Sequence, residues 1–211
     1  MNKEKSKEIV ALLKEVITDP RCELNYSNMF ELLVAVMLSS QTTDKRVNSI
    51  TPILFSRYPT PYELMNASYT DVYNIINPVG LAKNKTNNLL ALAKCLYENF
   101  DSTVPSTIEE LTTLPGVGRK TASVVLAEGY KIPAFPVDTH VYRVGYRLGY
   151  YKKDVSVLAA EKELTKYIPK DEWINGHHLF LLFGRYYCKA ISPSCDACRL
   201  NKYCKIKRKC D

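Results

Sequence analysis

Leu114-Pro115-Gly116-Val117-Gly118-Arg119-Lys120-Thr121 joins two helical segments through a turn built from one proline and two glycines. Upstream, Ser106-Thr107-Ile108-Glu109 has the form of a capping box that opens a helix. Downstream, Lys120 to Glu128 carries no helix breaker. The glycines let main-chain N–H groups face outward without side-chain obstruction, and the second helix turns the positive end of its dipole to the same spot. Such a turn can hold a phosphate, and main-chain donors would position a nucleic acid without reading its bases. Taken without its surroundings, a Pro-Gly-x-Gly turn more often serves helix-to-helix geometry alone.

Helix signals continue on both sides of this hairpin. Thr60-Pro61-Tyr62-Glu63 places a capping threonine, proline at the first helical position and a glutamate three residues after the cap. Helical patterning covers residues 28–38, 43–57, 69–76, 85–100, 139–148, 156–167 and 172–187, and the N-terminal segment sets Ile9, Leu12, Leu13 and Val16 on one face. Pro52 is expected to kink or split the helix that contains it. No segment shows sustained apolar/polar alternation with hairpin turns, so an all-α fold is expected. No repeat or low-complexity linker divides the chain, and the proline-bounded segment from Pro133 to Pro136 is the candidate hinge.

Bulk properties narrow the function classes. The chain has 211 residues, 46% hydrophobic and 24% charged, which is the range of globular proteins with one large or two small domains. The N-terminus reads as an amphipathic helix rather than an export signal, and the longest apolar run, Leu32 to Leu38, is far below the roughly 20 residues of a membrane span. A cytoplasmic protein without membrane insertion is expected, at the nucleoid if its source is bacterial. The net charge of +7 is concentrated at the C-terminal end in Arg199, Lys202, Lys205, Lys207, Arg208 and Lys209, which suits a polyanionic partner, although a short basic tail can also serve solubility alone.

Within that basic end lie Cys188, Cys195, Cys198 and Cys204, spaced C-x6-C-x2-C-x5-C. A disulfide scaffold is the alternative, but the other cysteines, Cys22, Cys95 and Cys210, are unclustered and the total of seven is odd. The loop is too short to build a core of its own, so it is expected to be held by whatever its thiolates bind. Spacing leaves Zn and a [4Fe-4S] cluster equally open.

Leu114 to Val125 resembles the helix-hairpin-helix motif, and eighteen residues after Lys120 the chain carries Val137-Asp138-Thr139-His140-Val141. This pairing resembles the DNA glycosylase superfamily named for that hairpin and its Gly/Pro-rich loop followed by an aspartate. With the cysteine loop added, the resemblance is to the endonuclease III family, over nearly the whole chain. It implies a bifunctional DNA glycosylase and abasic-site lyase, a base-excision repair enzyme acting on oxidised pyrimidines in double-stranded DNA, and a [4Fe-4S] cluster on Cys188, Cys195, Cys198 and Cys204. It also implies a six-helix domain at 22–132, with the hairpin at about 106–128, and a cluster domain at 1–21 plus 133–211, with the DNA cleft between them. A monomer is expected.

The resemblance assigns catalysis to Lys120 and Asp138. A lysine amine can attack C1′ of a damaged nucleotide, but only in its neutral form, and an ammonium must be destabilised by roughly 4 kcal/mol to give up its proton near neutrality. The helix N-terminus, Arg119 and desolvation by bound DNA all act in that direction, whereas Asp138 would oppose them and so serves instead to stabilise charge on the sugar and to help accept the lysine's proton. Gly116, Val117, Gly118 and Thr121 are expected to contact DNA through the hairpin. Gln41 and Leu81 match the family's DNA-inserting positions, and His140 is expected to face DNA. The plain readings are a solvated lysine, an N-cap aspartate, a loop-capping glutamine and a buried leucine. Ser39-Ser40-Gln41-Thr42 departs at Ser40 from the family's Ser-Ala-Gln form, which could alter substrate preference. A mismatch adenine glycosylase is the nearest alternative, but that branch lacks the lysine and continues into a further domain; a non-catalytic DNA-binding protein with a structural metal is the other.

Overall fold

The structure, a computed structural model, describes residues 1–206. The basic residues Lys207, Arg208 and Lys209, and Cys210, lie outside the described residues. Every regular element among the described residues is helical, so the all-α expectation holds. Two compact units result: Glu23–Ile132, and Met1–Cys22 together with the chain from Pro133 onward.

In the continuous unit, α2 (Met29–Leu38) is the central helix. Apart from Glu31 in its first turn its sequence is apolar all round, and a helix of that kind must be enclosed. Phe30 and Leu32 to Leu38 are all buried, against α3 (Asp44–Arg57), α6 (Ala82–Asn99) and α8 (Arg119–Glu128). The smaller helices α4 (Pro61–Met65) and α5 (Tyr69–Ile76) lie against α6, and α7 (Ile108–Leu111) lies against α8. Local chemistry sets most boundaries. Asn28 caps α2 through Glu31 N, Thr43 caps α3 through Arg46 N, and Thr60 with Glu63 forms the expected capping box.

Two boundaries differ from expectation. Pro52 is carried inside α3 without splitting it; it lies on the exposed face, where the carbonyl it leaves unpaired one turn earlier can be hydrated. The cap of α7 is Thr107, which accepts from Glu110 N at 3.2 Å, one residue later than the Ser106/Glu109 pair. Thr107 also donates to Glu110 Oε2 at 2.7 Å, and this register places Leu111 in the core.

The second unit joins α1 (Lys3–Val16) to α9 (Thr139–Leu148), α10 (Val157–Tyr167) and α11 (Trp173–Tyr186). Ile9 and Leu13 of α1 share a core with Phe135, Val141, Val144, Leu148, Leu164 and Phe180. The spacing of Val141, Val144 and Leu148 puts one face of α9 inward. At its end Gly149 adopts φ +81 and donates its N–H to Tyr146 O, while Tyr150 N reaches Gly145 O.

Burial of this kind has a measurable cost when removed. Leu33, fully enclosed in α2, should lose about 2–5 kcal/mol of unfolding free energy on substitution by alanine. Ile53, 57% exposed on α3, should lose less than about 0.5 kcal/mol on the same change. Urea unfolding of Leu33→Ala and Ile53→Ala checks both, with the first midpoint clearly lowered and the second nearly unmoved.

Candidate functional site

In the Glu23–Ile132 unit, the Leu114–Thr121 turn is fixed by close packing. Gly116 has φ +77, and a Cβ there would come within 2.9 Å of both Met37 Sδ and Asn88 Cβ. Only glycine satisfies both conditions. Gly118 differs, because a Cβ on it would meet nothing within 4 Å; the protein's own packing does not explain that residue. Val117 is buried and its N–H donates to Leu114 O at 3.1 Å, so its amide is not one of the outward donors expected of this turn. Those donors come from the residues after it. Helical bonding in α8 begins with Ala122 N to Gly118 O, which leaves the amides of Lys120 and Thr121 without intrahelical acceptors. Lys120 is exposed and Thr121 half-buried in that first turn.

Two further loops of the same unit carry Gln41 and Leu81. Both are exposed and both have left-handed backbones, φ +55 and +59. For leucine that conformation costs roughly 1–2 kcal/mol. Leu81 is 53% exposed at the N-cap of α6, so the commoner fate of a buried leucine at a helix start does not apply. The two loops touch: Gly80 N donates to Thr42 Oγ1 at 3.1 Å. Behind them Lys85 Nζ reaches Leu38 O, Ser40 O and Thr42 Oγ1 at 2.7, 2.6 and 3.1 Å.

In the other unit, Asp138 caps α9, its Oδ1 accepting from His140 N at 2.9 Å and Val141 N at 2.8 Å. One carboxylate oxygen is thereby committed to the helix N-terminus, and the other takes part in neither bond. His140 is half-buried rather than a simple surface residue; its Nδ1 lies 3.1 Å from Arg143 Nη2. Arg143 in turn donates from Nε to Cys188 O at 2.9 Å and from Nη2 to Gly184 O at 2.8 Å. One turn further, buried Arg147 donates from Nη1 to Cys188 Sγ at 3.2 Å and Lys189 O at 2.8 Å. Desolvation pulls the Arg143 guanidinium below its ordinary range, with neighbouring Arg147 adding to the effect.

Cys188, Cys195, Cys198 and Cys204 line a single cavity, together with Arg147, Phe183 and Leu200. Burial pushes the Cys198 thiol above its ordinary pKa, and the nearby Cys188 and Cys204 push it further up. Thiols that oppose one another's ionisation need a cationic centre to become thiolates together. Among the described residues, no three His, Cys, Asp or Glu side chains are grouped tightly enough for one metal ion. The loop is also held by protein. Leu200 is buried in the helical core, and Lys205 N donates to Arg147 O at 2.8 Å, so its fixation does not rest on thiolate ligands alone.

The sequence reading did not identify Lys85, Arg143 or Arg147. The two arginines carry a weak signal, since positions four apart on a helix share a face. Lys85 carried none, because its acceptors are main-chain carbonyls and a threonine more than forty residues away.

With this geometry in view, comparison with known proteins is direct. Residues 34–170 match the HhH-GPD superfamily base excision DNA repair protein model. The chain is 45% identical to endonuclease III of Bacillus subtilis strain 168 over 190 residues, covering 90% of this chain and 87% of that protein. It is 38% identical to endonuclease III of Escherichia coli strain K12 over the full length of both. A solved trapped endonuclease III–DNA covalent intermediate, in an estranged-adenine complex, superposes with a TM-score of 0.94 at 43% identity, covering 97% of this chain and 96% of that one. A thermostable thymine-DNA glycosylase shares the fold at a TM-score of 0.86 and 21% identity. The chain therefore belongs to the HhH-GPD superfamily of base excision DNA repair proteins and, within it, to the endonuclease III family.

Proposed function

We propose that this base-excision repair enzyme removes oxidised pyrimidines from double-stranded DNA and cuts the strand at the resulting abasic site, with Lys120 as nucleophile and Asp138 as its carboxylate partner. The observation that carries this reading is the position of Lys120: exposed, in the first turn of α8, beside amides that have no helical acceptor. Phosphates gripped by those amides would bring a nucleotide sugar to the amine. The 43% identical neighbour was caught as a covalent intermediate on DNA, which is the outcome that amine chemistry gives.

In the reaction, neutral Lys120 Nζ bonds to C1′ while the C1′–N bond to the base breaks, and the departing base takes a proton from water. The carboxylate of Asp138 offsets positive charge developing on the sugar and accepts the proton lost by the amine. The Asp138 carboxyl returns that proton to O4′ as the C1′–O4′ bond breaks, which opens the sugar and leaves an iminium between Nζ and C1′. The iminium acidifies the C2′ proton; its removal breaks the C3′–O bond, expels the 3′ phosphate and cleaves the strand. Water finally hydrolyses the imine and frees Lys120. An exposed amine is solvated until DNA covers it, so substrate binding itself supplies the desolvation that favours the neutral form.

Gly116, Gly118 and Thr121 hold the strand at the hairpin, with Val117 seating the turn. Gln41 and Leu81 enter the duplex from their loops to fill the space left by the displaced nucleotide, and His140 meets the backbone. Cys188, Cys195, Cys198 and Cys204 would hold a [4Fe-4S] cluster, which would supply structural cross-linking of the basic loop rather than electron transfer. All four cysteines line that one cavity, as ligands of a single centre must. The enzyme works as a monomer in the cytoplasm, at the nucleoid where the cell is bacterial. No helix among the described residues is long and apolar enough to cross a membrane.

Borohydride should reduce the iminium and link the protein irreversibly to abasic DNA, and Lys120→Gln should not be linked; undiminished trapping in that variant removes Lys120 from the mechanism. Asparagine caps helices as well as aspartate does. Asp138→Asn should therefore keep wild-type thermal stability while its turnover falls by roughly 10²–10⁴, and a stability loss matching the activity loss would reduce Asp138 to a cap. Wild-type protein purified without oxygen should be brown with broad visible absorption, and Cys198→Ser should lose that absorption; a colourless wild type that contains zinc would exclude the cluster.

A further inference from the structure

Lys85 is only 5% exposed, although lysine is among the residues least often enclosed. Burial lowers its pKa, a cost that must be offset locally. The offset is visible in three acceptors: Leu38 O at 2.7 Å, Ser40 O at 2.6 Å and Thr42 Oγ1 at 3.1 Å. An ammonium has three N–H bonds, and each finds one oxygen. No other side chain offers three convergent donors on a single atom: arginine is a wide planar fork, and glutamine and methionine lack the charge and the geometry.

The acceptors are not scattered. They span the end of α2 and the loop that carries Gln41. Thr42 Oγ1 also accepts from Gly80 N at 3.1 Å, so the same hydroxyl ties in the loop that carries Leu81. Approach there is close enough that a Cβ on Gly80 would fall 2.9 Å from Gln41 O. On either side of the knot stand Gln41 and Leu81, exposed, in left-handed conformations that neither residue adopts without restraint. Strain of that kind persists only where surrounding contacts over-determine the backbone, and the Lys85 knot is the restraint that reaches both loops.

We propose that Lys85 is a positioning residue that locks the Gln41 and Leu81 loops into one preformed wedge, so that the enzyme enters a base stack without first ordering two loops. The inference rests on the reading of Gln41 and Leu81 as duplex-inserting residues. Its consequence is selective. A nucleotide held in a duplex must be extruded and its gap filled, whereas an abasic site in a single strand has no stack to open. Loss of the knot should therefore weaken action on duplex DNA far more than the amine chemistry itself.

The test measures strand cleavage at one preformed abasic site placed in a duplex and in the corresponding single strand, for wild type, Lys85→Met, Thr42→Val, Gln41→Ala and Leu81→Ala. Thr42→Val removes the shared acceptor without emptying the Lys85 pocket, and it serves if Lys85→Met fails to fold. Because each protein is compared with itself, a general loss of folded enzyme cancels in the duplex-to-single-strand ratio. The expected result is a fall of at least tenfold in that ratio for Lys85→Met and Thr42→Val, matching the falls for Gln41→Ala and Leu81→Ala. If the two loop variants lose the ratio while Lys85→Met and Thr42→Val keep it, the knot does not position the wedge and the inference is overturned, with the insertion reading intact. If neither loop variant moves the ratio, the insertion reading fails and takes the inference with it.

Discussion

The bond pair from His140 N and Val141 N to Asp138 Oδ1 is the constraint on which one half of the molecule turns. It fixes where α9 begins, and α9 is the helix from which the second unit is organised. Its inward face supplies Val141, Val144 and Leu148 to the core, and its other residues include Arg143 and Arg147, which reach the carbonyl and sulfur of Cys188. A ten-residue helix thus has the Asp138 carboxylate at one end and contacts with the cysteine loop towards the other. A charge at an N-cap is stabilised by the amides it accepts from. The same amides hold the Asp138 carboxylate in one orientation, so capping and chemistry are compatible uses of a single side chain.

The other unit stabilises its working parts by different means. There Gln41 and Leu81 are exposed and locally unfavourable, and contacts behind them carry the strain. Gly116 is wedged between Met37 and Asn88, and Gln41 and Leu81 stand on backbones that Lys85, Thr42 and Gly80 hold. α2 connects these sites, since Met37 lies under the hairpin turn and Leu38 O is an acceptor for Lys85. The central helix of this unit is therefore the platform for both the hairpin turn and the loops that carry Gln41 and Leu81.

Much of this was legible in the sequence because it rests on local chemistry. Caps at Asn28, Thr43, Thr60, Ser68 and Asp138, and the inward spacing along α9, fix helices from residues within one turn of one another. Where local signals compete, the reading slipped: Ser106 and Thr107 both offer a cap, and burial of Leu111 selects the second. The start of α6 was placed three residues late because Leu81 in a left-handed cap has no sequence signature. The site was legible as separate motifs, but the bonds that hold them were not. Lys85 to Leu38 and Arg147 to Cys188 join residues 47 and 41 positions apart, and neither pairing follows from periodicity.

Two lysines of this chain show how environment assigns a role to one side-chain type. Lys85 is enclosed and meets three oxygens, an arrangement that needs all of its protons; giving one up would leave an acceptor unsatisfied in a dry site. Desolvation alone would favour the neutral amine there, yet every neighbour on the ring of acceptors favours the ammonium. Lys120 is exposed to water at the start of α8 rather than enclosed by oxygens. A nucleophile must be able to lose a proton when substrate excludes water, and a structural donor must not. Enclosure by itself would mark Lys85 as the reactive amine of the pair, but the ring of acceptors reverses that inference, and in the proposed reaction the chemistry falls to Lys120.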